Sequence, residues 1–395
     1  MKICPECGTE FEPKYKNSKY DKKECRDKAR RRRERPTPVT AEEKSEVSIE
    51  RKVLSLEASK ATADKLTKAA KLEVAKREED IAMLRHELAL YQRGFDAEPA
   101  WLKTPKDTKE HHGTLVAFMS DPHVGEVVSK GEMDGFNAYD MAIAELRMRR
   151  FFERSILVAR HYLAGVKYDG IVLALGGDMV SGDIHEELQH TNECSVYESI
   201  EAMVPWLVAG VNMLAEEFGN VRVVSVPGNH GRDSKKPRHK KRSAHNADTH
   251  AARLVAQHFK DSKTITFSVP ASFDVGFKVY DWTFSMEHGD NMRFSGTSEI
   301  GAFGPAKRGT LRKSRQAQTE GRPFHYNLMG HFHQYLPAYT QGLIMNGSIK
   351  GYDEYARSWH FLPEPPQQSL SVVTPEHGIT VQAPVLVQSS KEKWS

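Results

Sequence analysis

From about residue 113 the chain alternates short apolar runs with longer amphipathic stretches. The runs "TLVAFMS", "GIVLAL" and "VRVVSV" are separated by helix-period segments near 138–163 and 197–218. Short β-type runs alternating with helical spacing predict an α/β domain. From about 264 the texture becomes strand on strand: "TITFSV", "FKVYDWTFSM", "YNLMG" and "LIMNGS". This predicts a second sheet packed on the first. After 361, "FLPEPPQQ" opens a proline-containing tail over 361–395, with an edge strand expected in "GITVQAPVLV".

Residues 41–93 have a different period. They are rich in Ala, Glu, Lys and Leu and contain neither Pro nor Gly. One seam runs through Val53, Lys60, Thr67, Val74, Ile81 and Leu88. The other runs through Ile49, Leu56, Ala63, Ala70, Arg77, Leu84 and Tyr91. Ten of these thirteen positions are apolar, which predicts a coiled coil and so a homodimer or higher oligomer. A single long helix packed on the main domain is the alternative. Gly94 and Pro99 end the pattern. The expected organisation is a basic head over 1–35, a coiled-coil helix over 41–93, a linker over 94–112, a main domain over 113–360 and the tail.

Composition adjusts this picture in two places. Net charge is only +4, yet residues 1–35 carry thirteen Lys and Arg against seven Asp and Glu. Positive charge gathered into a patch suits a phosphate-bearing partner. Of the four cysteines, Cys4, Cys7 and Cys25 sit near the N-terminus, a distribution that favours metal over disulfides. Cys4-x-x-Cys7-Gly reads as a knuckle and resembles the small zinc-ribbon heads of phage and bacterial proteins. Asp21 and Cys25 stand where such heads carry their second cysteine pair. A structural zinc on Cys4, Cys7, Asp21 and Cys25 is expected, against a knuckle that holds nothing. No apolar segment follows the first basic residues, and no run approaches the ~18 residues of a membrane span. The expectation is a cytoplasmic protein without membrane contact, with a phage-encoded protein in the host cytoplasm as one setting.

The chemistry lies at the ends of the strand-like runs. "LVAFMSDPH" ends in Asp121 and His123, and "GIVLALGGD" in Asp178. "VRVVSVPGNH" ends in Asn229 and His230, "WTFSMEHGD" carries His288, and "YNLMGHFH" carries His331 and His333. C-terminal strand ends in an α/β sheet meet in one crevice. The order D-x-H, G-D, G-N-H, H, G-H-x-H resembles the calcineurin-like metallophosphoesterases over about residues 113–350. That resemblance implies a four-layer α/β/β/α sandwich holding two metals. It implies that Asp121, His123, Asp178 and His333 hold the first metal. Asp178, as a bridge, with Asn229, His288 and His331 would hold the second, and His230 would face the substrate. A mixed nitrogen and oxygen donor set suits Mn²⁺, with Fe or Zn²⁺ as alternatives. This chain departs from the pattern at Gly231, where the family has an acidic residue; Asp233 and Arg232 are the neighbours able to compensate.

Two basic clusters flank those motifs: Arg232, Lys235, Lys236, Arg238, Lys240, Lys241 and Arg242, then Lys307, Arg308, Arg312, Lys313 and Arg315. They suit an extended polyanion, against the plainer reading of a solvated loop. The expected function is therefore a two-metal phosphodiesterase acting on nucleic acid, in particular DNA as an exo- or endonuclease. A phosphomonoesterase acting on phosphoprotein or nucleotide is the second expectation. A nucleic-acid-binding protein with a vestigial site is the third.

Overall fold

The computed structural model describes residues 1–33, 99–103, 111–292 and 302–389, and parts of 52–81. It falls into two compact units, Met1–Arg85 and His86–Ser395.

In the first unit a two-stranded ribbon, β1 (Lys2–Ile3) and β2 (Glu10–Phe11), precedes α1 (Lys23–Arg33). Four arginines in the last turn of α1 complement its negative dipole end. Between 52 and 81 the described residues are helical, in line with the long helix read from the pattern. The seam residues Val53, Leu56, Val74 and Ile81 are all exposed. Ile49, Leu84, Leu88 and Tyr91 lie outside the described residues.

The second unit is built on two sheets. The first has six strands: β3 (His112–Met119), β4 (Lys167–Leu175), β5 (Val221–Ser225), β6 (Ile265–Ser268), β11 (Gln367–Thr374) and β12 (Gly378–Leu386). Their order is β12-β11-β3-β4-β5-β6, parallel from β3 to β6 and antiparallel at β11 and β12. The second sheet has the order β10-β9-β8-β7, from β7 (Asp274–Val279), β8 (Trp282–Glu287), β9 (Tyr326–Met329) and β10 (Leu343–Met345). "FKVYDWTFSM" is a hairpin, turning at Tyr280 with φ 54°.

Alternation along the central strands explains the layering. Leu115, Ala117, Met119, Ile171, Leu173 and Val223 face one way, onto α2 (Met141–Leu157), α4 (Val196–Phe218) and α5 (Ala247–His258); the short α3 (Glu186–Thr191) precedes α4. The intervening Val116, Phe118, Val172, Ala174 and Val224 pack on Phe277, Phe284, Met286 and Leu328 of the second sheet. The outer face of that sheet offers Met329, Leu343 and Met345 to Ala306 of α6 (Phe303–Thr319). The unit is therefore a four-layer α/β/β/α sandwich. Strands buried on both faces read as unbroken apolar runs, which is why β3, β4 and β5 are so plain in the sequence. A capping box of Ser195 and Glu198 starts α4, and Gly219 at φ 75° ends it.

Two expected boundaries are corrected. The segment after 361 is not a tail, because β11 inserts between β3 and β12 and completes the main sheet. Its "QQSLSVVT" looks polar, yet Gln368, Ser369 and Ser371 are buried, the first two with side-chain partners. Gln368 accepts from the Ser120 N–H at 2.7 Å and donates to Gly347 O at 2.8 Å. β12 is an edge strand, as its Pro384 requires. The segment 94–112 is not free linker throughout: Leu102 is buried and its carbonyl accepts from the Tyr280 N–H at 2.8 Å.

Candidate metal centre

Each ligand-type residue is delivered by a strand end. Asp121 and His123 follow β3, Asp178 follows β4, and Asn229 and His230 follow β5. From the second sheet, His288 follows β8, while His331 and His333 follow β9. Asp121, His123, Asp178, His331 and His333 all adopt left-handed backbone, with φ between 48° and 69°. Such strain, about 1–3 kcal/mol each, persists where the surroundings over-determine it. Tight packing does so here. A Cβ on Gly228 would lie 2.1 Å from the Asp178 carboxylate, and one on Gly330 would lie 2.5 Å from Asp121 Oδ2.

The side chains form three overlapping clusters whose ligand atoms lie within 4.8 Å of one another: Asp121–His123–His333, His123–Asp178–His230 and Asp178–His288–His331. Asp178 joins two of them. Asn229 adjoins the last, its Oδ1 lying 3.2 Å from His288 Nε2. All seven residues expected to be metal ligands thus come together, and His230 stands beside them.

The donor set fits cations. His288 Nδ1–H donates to Gly176 O at 2.8 Å, so in the neutral ring Nε2 carries a lone pair. That lone pair faces Asp178 Oδ2 at 2.9 Å and Asn229 Oδ1 at 3.2 Å, an arrangement that needs positive charge between the atoms. Without a metal the charge must be a proton. Burial lowers the His288 pKa, but the Asp178 carboxylate outweighs it and raises it to about 10. On the other side His123 Nε2 and His333 Nε2 face each other at 3.2 Å, with Asp121 Oδ1 3.4 Å from His333. Burial, then the charge of Lys350, holds the His123 pKa well below the usual imidazole range; burial takes His331 down to about 4. Both rings are neutral and free to coordinate. For Asp178, burial acts upward, but His288 and His230 hold it well below the usual carboxylate range.

His230 is oriented without an acidic neighbour. Its Nδ1–H donates to Ser181 O at 2.7 Å, leaving Nε2 free, and its ring centroid is 4.5 Å from that of His123. The gap at Gly231 has a steric explanation. A Cβ there would meet Asn246 Oδ1 at 2.9 Å and Asp248 Oδ1 at 3.0 Å. Asp248, at the start of α5, occupies that space. Its carboxylate accepts from the N–H groups of Asp178 at 2.9 Å, Met179 at 3.0 Å and Gly228 at 2.8 Å, tying two ligand loops together. Asp233 does not stand in for the missing acid: it pairs with Arg238 and His245.

Sequence reasoning passed over Asp248, although "HNADTH" carries an N-cap signature with Asn246 as cap. It also passed over a buried ion cluster. Lys350 Nζ lies 2.7 Å from Glu126 Oε1 and 2.6 Å from Asp353 Oδ2, while Glu126 Oε2 lies 3.5 Å from His123 Nδ1. No local signal marks the cluster as a whole: Lys350 and Asp353 are three residues apart, but Glu126, which links them to His123, lies 224 residues from Lys350.

The basic residues divide. Arg238, Arg242, Arg312 and Lys313 line one groove of about 1060 Å³, with Phe273 and Lys278. Several are already neutralised. Arg242 pairs with Asp290 at 2.5 Å, and Lys313 with Asp274 at 3.2 Å and Glu287 at 3.3 Å. Arg232 donates to the carbonyls of Asn229, Ser234 and Lys235, bracing the loop from inside. Lys307 donates to Gln341 O at 2.6 Å. Lys235, Lys236, Lys240, Lys241, Arg308 and Arg315 are exposed.

In the first unit the thiols of Cys4, Cys7 and Cys25 converge within 4.8 Å. Asp21 is not a fourth member of that cluster; it reaches Cys4 through its backbone N–H, which, ahead of the other influences, lowers that thiol to about 7. The Cys25 thiol, hydrogen-bonded to Cys7, is pushed up to about 11.

No protein-family model matches the chain, and no curated protein matches it. Solved structures of similar outline include vacuolar protein sorting 29 from Cryptosporidium parvum, with 12% identity and TM-score 0.28 over 69% of this chain and 97% of that one. A dimetal phosphatase from Danio rerio matches at 10% identity and TM-score 0.31 over 70% and 99%. The sulfate thiohydrolase SoxB from Thermus thermophilus matches at 10% and 0.30 over 71% and 58%. Scores this low carry no assignment of activity, which rests on the site itself. Among the described residues, no helix is long and apolar enough to cross a membrane.

Proposed function

We propose that the chain is a two-metal-dependent phosphodiesterase of the calcineurin-like type that hydrolyses nucleic-acid phosphodiester bonds. The observation that supports this most is the pair of donor clusters joined at Asp178, whose buried lone pairs face one another. Asp121, His123, Asp178 and His333 would hold one divalent cation; Asp178, Asn229, His288 and His331 would hold the other. Two such cations, Mn²⁺ for preference and Fe or Zn²⁺ otherwise, supply Lewis acidity and a nucleophilic water at neutral pH. The chain's own part is positional and protonic. His230, fixed by its Nδ1–H on Ser181 O, presents Nε2 to the substrate; as the imidazolium it gives the Nε2 proton to the leaving oxygen and returns to the neutral ring, which takes a proton from water before the next turnover. The arginine-lined groove takes the flanking phosphates.

One observation favours a phosphomonoesterase as a second reading. Arg242, Lys313 and Arg238 have acidic partners, so the groove's free charge is smaller than the sequence count. The two readings separate in one experiment. Labelled single- and double-stranded DNA and RNA and a phosphomonoester are offered with Mn²⁺ to wild type, Asp178→Ala and His230→Ala. Metal-dependent strand cleavage, lost in both variants, is expected. Turnover of the monoester alone would replace the proposal by the second reading, and strand binding without turnover would make the site a vestige.

We further propose that the first unit binds zinc through Cys4, Cys7 and Cys25, and that the exposed apolar seam pairs copies of the chain. Metal analysis finding no zinc in freshly purified protein would reject the former.

A further inference from the structure

Two small pockets adjoin the donor set, one at Asn229 and one at His333. Beside Asn229 a small pocket is lined by Arg232, Arg238 and Arg242. Beside His333 another is lined by Phe332, Tyr352, Phe361 and Leu362. Phe361 and Leu362 of this pocket, with Tyr355 and Trp359 reached through ring contacts, form a rim that is unusually apolar for a surface. Leu362 is 82% exposed, Tyr355 65%, Trp359 62% and Phe361 42%. Tyr355 lies on α7 (Glu354–Ser358); its ring centroid is 6.3 Å from both the Trp359 and the Phe361 rings. Free-standing side chains would hide such faces against one another or beneath the surface. These are held open by a braced turn. Asp353 caps α7 by accepting from the Ala356 N–H at 2.8 Å, the Phe361 N–H returns to Ala356 O at 2.9 Å, and Arg357 pairs with Asp134. Asp353 is also tied through Lys350 to Glu126, which faces the His123 ring. The rim and a metal-ligand residue therefore share one rigid support.

We propose that this pocket and its aromatic rim seat a nucleobase of the substrate next to the scissile phosphate. The inference rests on the nucleic-acid reading above and narrows it: the substrate presents an unpaired base beside the cleaved bond. A nucleotide unit is flat and weakly polar on one side of its sugar and anionic on the other. The exposed rings suit the flat half and their pocket adjoins His333 of the first donor cluster, whereas the arginines beside Asn229 are already held by Asp233, Asp290 and loop carbonyls. Arg357, the rim's cation, is already paired with Asp134, so the rim suits a base and not a phosphate. Every base has a π-face, so stacking there is tolerant of sequence and selects single strands over closed duplex.

The experiment compares a single-stranded oligonucleotide with one carrying abasic sugars on both sides of the cleaved bond. Wild type, Trp359→Ala, Phe361→Ala and the conservative Trp359→Phe are assayed with Mn²⁺. Wild type is expected to favour the base-bearing strand in kcat/KM by at least about fivefold, the low end of one base–aromatic stack. That ratio should collapse towards one in both alanine variants and survive in Trp359→Phe. A ratio of one in wild type, or one unchanged by the alanine variants, overturns the base seat and leaves the nuclease reading standing. If nothing is cleaved, the fluorescence difference between wild type and Trp359→Phe during titration with the same strand decides. Quenching without cleavage keeps the seat and rejects the nuclease. An unmoved signal rejects both, and the rim is then a face for another protein.

Discussion

Asp248 shows how one residue can do work that the local sequence assigns elsewhere. It fills the volume a side chain at 231 would need, and it accepts four N–H bonds from the Asp178 and Gly228 turns. Asp248→Ala leaves those buried donors without a partner and should destabilise the second unit by about 3 kcal/mol or more, read from denaturant unfolding. Gly231→Asp places an acid directly after His230 but collides with Asp248 and Asn246, so it should lower activity. The two changes together should couple non-additively, because they compete for one volume. Lys350 is a similar case. Lys350→Met leaves Glu126 and Asp353 buried and unpaired, which should cost about 3–5 kcal/mol. An unfolding midpoint equal to wild type would show that the pair is not what holds this corner.

At the scale of elements, the strand ends decide the geometry. Gly228 approaches Asp178 so closely that Gly228→Ala must displace the turn after β4. Metal-dependent hydrolysis should fall at least about a hundredfold while far-ultraviolet dichroism stays native, because one misplaced donor disturbs both clusters. β11 makes the opposite point. It runs antiparallel beside β3 and carries Leu370, Val372 and Val373 into the two cores. Truncation after residue 361 should yield insoluble protein, since it bares the edge of β3 and opens both cores. A soluble, cooperative fragment ending at 361 would contradict this.

For the whole molecule, stability should follow metal occupancy and assembly should follow the helix. If cations fill the two clusters, chelation should lower the melting temperature, and readdition of Mn²⁺ should restore it. At a thousandfold excess over Kd the stabilisation is about 4 kcal/mol. Sedimentation should give a dimer or larger species, and replacing Val53, Leu56, Val74 and Ile81 by Ser should reduce it to a monomer. A wild-type monomer would leave the helix as a single exposed rod.

The sequence determined the parts whose physics is local. Unbroken apolar runs could only be buried strands, and the changes of period marked the helices. Five strand ends carrying Asp, Asn and His point to one crevice, because parallel strands deliver their C-terminal ends to one place. Only the tertiary structure could decide what depends on partners remote in the chain. Gln368 and Ser369 read as tail until their buried hydrogen-bond partners are seen. Asp21 reads as a zinc ligand until its backbone N–H is found on Cys4. The basic clusters read as free charge until Asp274, Glu287 and Asp290 are found beside them. Burial turns polarity from a label of the residue into a property of its neighbours, and neighbours 200 residues away leave no trace in the local pattern.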